Sequence, residues 1–153
     1  RSSAAVAEAF EDMRSSIHQA SPEAELDGVL VQPKASRGRE LILGGRHDPQ
    51  FGPVVLVGLG GIFVEIFEES QVRVAPLTQR TAREMLENLR GYQILAGARG
   101  HKPVDVDAVV ETLLRLSQLL IDFPEINELD INPLRVFHAG EGCSALDARI
   151  IVE

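Results

Sequence analysis

Apolar and polar positions along the chain change period several times, and each change marks an element. Val6, Phe10, Met13 and Ile17 recur at i, i+4, i+7 and i+11, a single stripe on a helix over residues 1–20. Ser2 or Ser3 can cap its start by accepting hydrogen bonds from first-turn amides, and Pro22 lies just past its end. A β-rich block over 26–76 follows. Val29-Leu30-Val31-Gln32 reads as one strand and Glu40-Leu41-Ile42-Leu43 as a second, closed by Gly44-Gly45. Asp48-Pro49-Gln50-Phe51-Gly52-Pro53 reads as a turn. Val54-Val55-Leu56-Val57 is a buried strand, interrupted by Gly58-Leu59-Gly60-Gly61 and continued as extended chain over 62–67, with a further strand at 72–75.

Helical spacing returns over 78–123. Thr78 can cap a helix that turns Met85, Leu86 and Leu89 inward, and residues 91–103, with Gly97 and Gly100, read as a loop. Asp105 is a good cap for the next helix, with Asp107 in its first turn. Val109, Val110, Leu113, Leu116, Leu120 and Ile121 give it a wide apolar face, and Phe123-Pro124 ends it. The segment 126–153 reads as a hairpin: one strand over 129–137, a turn at 139–142 and a return strand over 143–152. Strands joined by short turns pair antiparallel, so the pattern predicts an α+β fold, a mostly antiparallel sheet packed with helices, built as one domain or two small lobes.

Composition sharpens this picture in a few places. With 44% hydrophobic and 25% charged residues among 153, the chain has ordinary globular character, and with only 5% aromatics its core must be aliphatic. The formal net charge of -8, without a cluster of Lys and Arg, argues against nucleic acid as a partner. It does not argue against a nucleotide, because a bound divalent cation inverts the local field. Cys143 is the single cysteine, which excludes an internal disulfide framework and points to a reducing, cytoplasmic setting; it reads as a small inert residue near a turn. No apolar run approaches the ~20 residues that span a membrane. The chain begins at Arg1 rather than Met and enters a helical pattern almost at once, so a portion of a longer polypeptide is expected.

Few motifs carry chemistry. Gly58-Leu59-Gly60-Gly61 is not a dinucleotide fingerprint, because position 63 is Phe63, the following residues are β-like, and position 78 is Thr78 rather than an acid. Nor does Gly-Lys-Ser/Thr follow, which removes the P-loop. Two readings remain: a strand bend or bulge that needs glycine, or a close backbone approach to a ligand or to a partner domain. The C-terminal hairpin says more. Asp130 and Asn132 lie at i and i+2 of one strand and are expected on the same face, and a turn centred on Ala139-Gly140 sets Asn132 opposite Asp147, so three oxygen-bearing side chains are expected to converge on one patch. Hard cations such as Mg²⁺ take such oxygen ligands, although taken alone this patch is more often a solvated sheet face. Glu65 alternates with Phe63 and Phe67 and reads as an edge-strand charge. His18, His47, His101 and His138 are scattered without metal-ligand spacing and read as surface residues. No nucleophile–base signature of the hydrolase kind is present.

Taken together, the segments resemble a known family. Val31-Gln32-Pro33, Arg39-Glu40-Leu41-Ile42, Asp48-Pro49-Gln50-Phe51-Gly52-Pro53 and Gly58-Leu59-Gly60-Gly61-Ile62-Phe63-Val64-Glu65 occur in that order. Ala75-Pro76-Leu77, Asp122-Phe123-Pro124-Glu125-Ile126, Asp130-Ile131-Asn132-Pro133-Leu134 and Asp147-Ala148-Arg149 follow. The set resembles the C-terminal part of the ATP-grasp module of ADP-forming (NDP-forming) acyl-CoA synthetases over nearly the whole chain; the acidic-x-Asn-Pro-Leu strand is shared with the β subunit of succinate–CoA ligase. The resemblance implies a module that uses MgATP to form a phosphohistidine, which activates an acyl group for transfer to coenzyme A. It implies Asn132 and Asp147 as Mg²⁺ ligands with Asp130 as a neighbouring acid, Val31, Gln32 and Pro33 as the hinge that meets adenine through backbone groups, and Glu40 as the acid on the strand after the hinge.

The family's histidine-containing stretch, its lobe with a phosphate-contacting lysine and its coenzyme A-binding and ligase domains have no counterpart in these residues. The resemblance therefore implies partners that supply them, no catalytic residue in this segment, weak ATP binding and no turnover by the segment alone. It also implies an apolar lobe surface through which the chain could form a homo-oligomer. The alternative reading is a non-catalytic regulatory ATP-grasp-like module of a multidomain protein acetyltransferase.

Overall fold

The computed structural model describes residues 2–61, 70–98, 100 and 102–152. The extended segment expected at 62–67, with Glu65 in it, and the expected surface residue His101 lie outside these. The chain divides into two compact units, Arg1–Lys34 and Ala35–Glu153.

The first unit is a helix, α1 (Ser3–Ala20), followed by irregular chain. Ser2 caps the helix, its side chain accepting from the Ala5 amide at 3.4 Å. The apolar stripe exists as the spacing requires, but no residue of α1 is buried, and Val6, Phe10, Met13 and Ile17 are 37–54% exposed. The strand expected at Val29-Leu30-Val31-Gln32 does not form; Leu30 and Val31 are 79% and 76% exposed in irregular chain. A strand needs a neighbour to satisfy its backbone groups, and this run has none among the described residues.

The second unit is a sheet with helices on one face. Its strands are β1 (Arg39–Asp48), β2 (Gly52–Leu59), β3 (Ser70–Val74), β4 (Ile126–Val136), β5 (Cys143–Ala145) and β6 (Ala148–Val152). Its helices are α2 (Gln79–Glu87), α3 (Tyr92–Ala96) and α4 (Val106–Asp122). The order is β3-β2-β1-β4-β5, with β6 also on β4, and every pairing is antiparallel. This is the α+β class the pattern predicts. Thr78 and Asp105 cap α2 and α4 as expected, accepting from the Thr81 and Ala108 amides, both at 3.1 Å. Residues 91–103 are more than a loop. Tyr92–Ala96 makes a short helix, closed by Gly97 at φ 88° and anchored by the buried Leu95.

Alternation builds the core. Leu41 and Leu43 of β1, Val55 and Val57 of β2, and Leu134 and Val136 of β4 point to the face that α4 covers, and all are at most 2% exposed. Met85 and Leu86 of α2 and Val109, Leu113 and Leu120 of α4 close the other side, fully buried. Burial of each such side chain contributes about 1.5–3 kcal/mol. Ile121, expected on the apolar face, is 38% exposed instead. Buried Ser117 takes a place there; its Oγ accepts from the Leu77 amide at 2.8 Å, so the hydroxyl is satisfied and fixes the entry to α2.

Two details of β1 depart from expectation. The strand does not stop at Gly44-Gly45 but runs through both. A β-carbon at Gly45 would lie 2.5 Å from Leu120 Cδ1 and 3.1 Å from Leu116 Cδ2, so only glycine lets α4 approach here. His47 is half-buried rather than a surface residue, and its Nε2–H donates to the Leu120 carbonyl at 3.0 Å, satisfying a last-turn carbonyl of α4.

Gly45→Ala is expected to cost about 1–3 kcal/mol through overpacking against Leu116 and Leu120. Gly44→Ala, whose β-carbon meets nothing nearer than 3.7 Å on the opposite face, is expected to stay within ~0.5 kcal/mol of the parent. Urea unfolding midpoints check the pair; equal losses at both sites would remove the close-approach account. A second prediction concerns Asp105. Its carboxylate accepts from the Gly142 amide at 2.9 Å, the Ala108 amide at 3.1 Å and the Gly140 amide at 3.0 Å, tying α4 to the turn before β5. These amides, Gly142 first, outweigh burial and hold its pKa below the usual carboxylate range. A depressed folded-state pKa means a contribution present above the ordinary carboxylate pKa and lost as pH falls through the folded value. Asp105→Asn is therefore expected to lower stability at neutral pH and to flatten the acid limb of a stability-against-pH curve; an unchanged acid limb would contradict this.

Candidate functional site

The face of the sheet away from α4 carries two of the sequence-derived residues, Glu40 and Asp130. Strand alternation puts Glu40, Ile42, Gly44 and Arg46 of β1 there, with Val54 and Leu56 of β2 and the half-exposed Val72 and Val74 of β3. A hollow of about 520 Å³ on this face is lined by Gly44, Arg46, Val54, Leu56, Val72 and Asp130, among others.

β4 supplies the other residues. It pairs with β1 so that Gly44 faces Asp130 and Glu40 faces Arg135, with a slip in register between Leu41 and Leu43, where Leu41 meets Leu134 and Leu43 meets Ile131. Asn132 and Pro133 fall at this slip, an irregularity that lets one strand carry an extra residue and re-aims the side chains beside it. On its other edge β4 meets the returning chain with Leu134 against Ala145 and Ile131 against Ala148. That register centres the turn on Ala139-Gly140, as expected. It places Asn132 opposite Asp147: the Asn132 amide donates to the Asp147 carbonyl at 3.1 Å, and the Leu146 amide donates to the Pro133 carbonyl at 3.0 Å. The return strand is broken at Leu146 and Asp147, between β5 and β6.

Asn132 and Asp147 are thus brought together, both exposed. Asp130 is half-buried, faces Arg149 across to β6, and lines the hollow beside Gly44. The available donors are a side-chain amide and carboxylates, all hard oxygens, a set whose chemistry suits Mg²⁺. Among the described residues no group of three or more His, Cys, Asp or Glu forms a metal cluster, so a cation held by Asn132 and Asp147 would take its further oxygens from a ligand or water.

Glu40 stands at the start of β1 beside the glycine turn that ends β2. The Gly60 amide donates to the Glu40 carbonyl at 2.8 Å. A β-carbon at Gly60 would lie 2.9 Å from the Glu40 carbonyl carbon, and one at Gly61, whose φ is 63°, would lie 2.9 Å from Glu40 Oε2. The positive φ of Gly61 and the tight fit of both glycines against Glu40 of the same unit agree with the first reading, a bend that needs glycine. Sequence reasoning missed the partner of this acid. Arg135 Nη2 donates to Glu40 Oε1 at 2.5 Å, and its Nη1 donates to the Ser36 carbonyl at 3.1 Å. Only the β1–β4 register, which pairs residues far apart in the chain, could have revealed it.

The remaining site residues lie elsewhere. Val31, Gln32 and Pro33 belong to the first unit and are all exposed. Cys143 is half-buried with its Sγ 3.4 Å from Thr112 Oγ1. No described helix is long and apolar enough to cross a membrane.

Comparison with known proteins gives this geometry a context. A family model described as ATP-grasp domain matches residues 1–152. The β subunit of ADP-forming acetate–CoA ligase II from Pyrococcus furiosus is 44% identical over 145 residues, 94% of this chain and 61% of that subunit. ADP-forming acetate–CoA ligase I from Archaeoglobus fulgidus is 43% identical over 144 residues, 94% of this chain but 21% of the ligase. Among solved structures, the dinucleotide-forming acetyl-coenzyme A synthetase 1 of Ca. Korarchaeum cryptofilum, in complex with coenzyme A, acetyl-coenzyme A and a phosphorylated phosphohistidine segment, superposes with a TM-score of 0.86 at 40% identity. That match covers 100% of this chain and 67% of the solved one. Another structure of the same synthetase, with coenzyme A and Mg-AMPPCP, matches 78% of this chain and 55% of that chain with a TM-score of 0.73 at 43% identity. The chain thus spans between about a fifth and three-fifths of these curated relatives.

Proposed function

The chain belongs to the ATP-grasp domain family, and from that premise we propose that it forms a MgATP-binding lobe of an ADP-forming acyl-CoA synthetase. The observation that carries the reading is the register of the C-terminal strands, which sets Asn132 opposite Asp147 on the strand that also faces Glu40. Relatives 43–44% identical to the chain are ADP-forming acetate–CoA ligases, and a synthetase of the same fold has been solved with Mg-AMPPCP.

In this reading Asn132 and Asp147 hold Mg²⁺ through side-chain oxygens, with Asp130 as the neighbouring acid. Val31, Gln32 and Pro33 meet the adenine through backbone groups, and Glu40 belongs to the nucleotide site. A bound Mg²⁺ supplies charge neutralisation at phosphate oxygens during phosphoryl transfer. The chain's own part is to present oxygens to the cation and to frame the nucleotide with the open sheet face.

The reaction as a whole, acyl-CoA from acid, coenzyme A and ATP by way of a phosphohistidine, is proposed for a protein that includes this lobe. Coenzyme A-binding and ligase domains are its partners, and coenzyme A and the acyl substrate are reached through them. No residue of this lobe is assigned the phosphohistidine, and the lobe alone is expected not to turn over. A cytoplasmic location, on the strength of one cysteine, and self-association through apolar lobe surface belong to the same reading. A regulatory module of a protein acetyltransferase is not favoured, since the relatives named are ligases.

Isothermal titration of Mg-ADP into the chain tests the proposal. Binding is expected with Mg²⁺ and not with EDTA, and an Asn132→Ala/Asp147→Ala variant is expected to bind at least about tenfold more weakly. Both side chains are exposed, so the variant should keep the thermal midpoint of the parent. Binding indifferent to Mg²⁺, or equal in the variant, would remove the metal assignment. No binding by the parent chain would overturn the lobe as a nucleotide site in its own right.

A further inference from the structure

The Arg135–Glu40 pair is built more closely than a surface ion pair. The two residues are cross-strand partners of β1 and β4, and their side chains are 20% and 30% exposed. One arm of the guanidinium donates to Glu40 Oε1 at 2.5 Å, the other to the Ser36 carbonyl at 3.1 Å, and Nε is buried without a hydrogen-bond partner among the described residues. A planar fork thus grips a carboxylate and a main-chain oxygen of the segment leading into β1, which an ammonium could not do with the same geometry. The other carboxylate oxygen lies beside Gly61, and the Glu40 carbonyl accepts from Gly60, so the turn ending β2 closes onto the same residue.

We infer that Arg135 is a positioning residue of the nucleotide site, acting through Glu40. It fixes the rotamer of the carboxylate, cancels its charge and ties it to the chain entering β1. A Glu40 held in this way is an oriented hydrogen-bond acceptor with little net charge to repel phosphates, and it is not free to swing toward a cation. The inference rests on the proposed nucleotide site and adds a residue to it: Arg135 lies on the strand that carries Asp130 and Asn132. A purely structural staple between β1 and β4 would show the same contacts, so the test must separate stability from ligand affinity.

The test titrates Mg-ADP into the full chain and four variants: Arg135→Met, Arg135→Lys, Glu40→Gln and the Arg135→Met/Glu40→Gln double, with thermal midpoints measured without nucleotide. Arg135→Met is expected to raise the dissociation constant about tenfold at a temperature where every variant is folded. Arg135→Lys, keeping the charge but not the fork, should recover only part of that loss. The double variant should bind no more weakly than the weaker single one, because the two residues act as a unit. If Arg135→Met lowers the midpoint but leaves affinity unchanged while the parent binds Mg-ADP, the pair is a staple and the inference is overturned, with the nucleotide lobe left standing. Additive losses in the double variant would equally overturn it. If the parent does not bind, the lobe reading fails and this inference falls with it.

Discussion

The pairing of β1 with β4 is the constraint on which the second unit depends. It joins segments far apart in the chain, so closing it is entropically costly, and it must be repaid by what it buries. Leu41 against Leu134 and Leu43 against Ile131 put fully buried leucines at the middle of the sheet, under α4. The same register decides what faces the other way. It sets Gly44 by Asp130 and Glu40 by Arg135, so the packed core and the open face are two consequences of one alignment. A slip of one residue would exchange the faces and put charged side chains under α4, which is why the apolar alternation specifies the register so firmly.

Within that alignment the slip at Asn132-Pro133 is a local concession. A regular ladder would carry β4 past β1 with strict alternation; the extra residue breaks it between Leu134 and Ile131 while both stay on the core side. Asn132 therefore sits where the backbone is irregular on one edge and where the return strand is interrupted by Asp147 on the other. Sites that must present oxygens gain from such breaks, because the side chains concerned are released from the alternation that otherwise dictates their direction.

What the sequence made legible was what depends on neighbours in the chain. Ser2, Thr78 and Asp105 cap helices because capping spans only a few residues. The Asn132–Asp147 juxtaposition followed from turn parity within one hairpin. The ATP-grasp resemblance was legible because it lies in the order of short motifs. What was not legible needed a partner from elsewhere. Val29-Leu30-Val31 has strand-forming side chains but no strand paired with it among the described residues. Gly44-Gly45 looked like the end of a strand, since nothing local says that Leu116 and Leu120 will press against Gly45. His47 looked like a surface residue until α4 brought the Leu120 carbonyl to it. Arg135 carried no signal, because its role exists only in the β1–β4 register. Tyr92–Ala96 was hidden by the glycines around it, although a left-handed glycine after a buried leucine is how a short helix commonly stops.

The electrostatics of the open face bear on how an acidic chain could hold an anionic nucleotide. The net charge is -8, and Asp130 and Asp147 of the candidate site are among the acids that make it so. A polyphosphate approaching bare carboxylates would meet repulsion, and a divalent cation between the two converts it into attraction on both sides. Glu40 is different: its Oε1 already accepts from Arg135, beside the glycine turn. On the proposed reading the face divides its acids into those that need a metal and one that does not. Metal dependence of nucleotide binding would then follow from Asn132, Asp147 and the neighbouring Asp130, and the contribution of Glu40 would depend on Arg135 rather than on the cation.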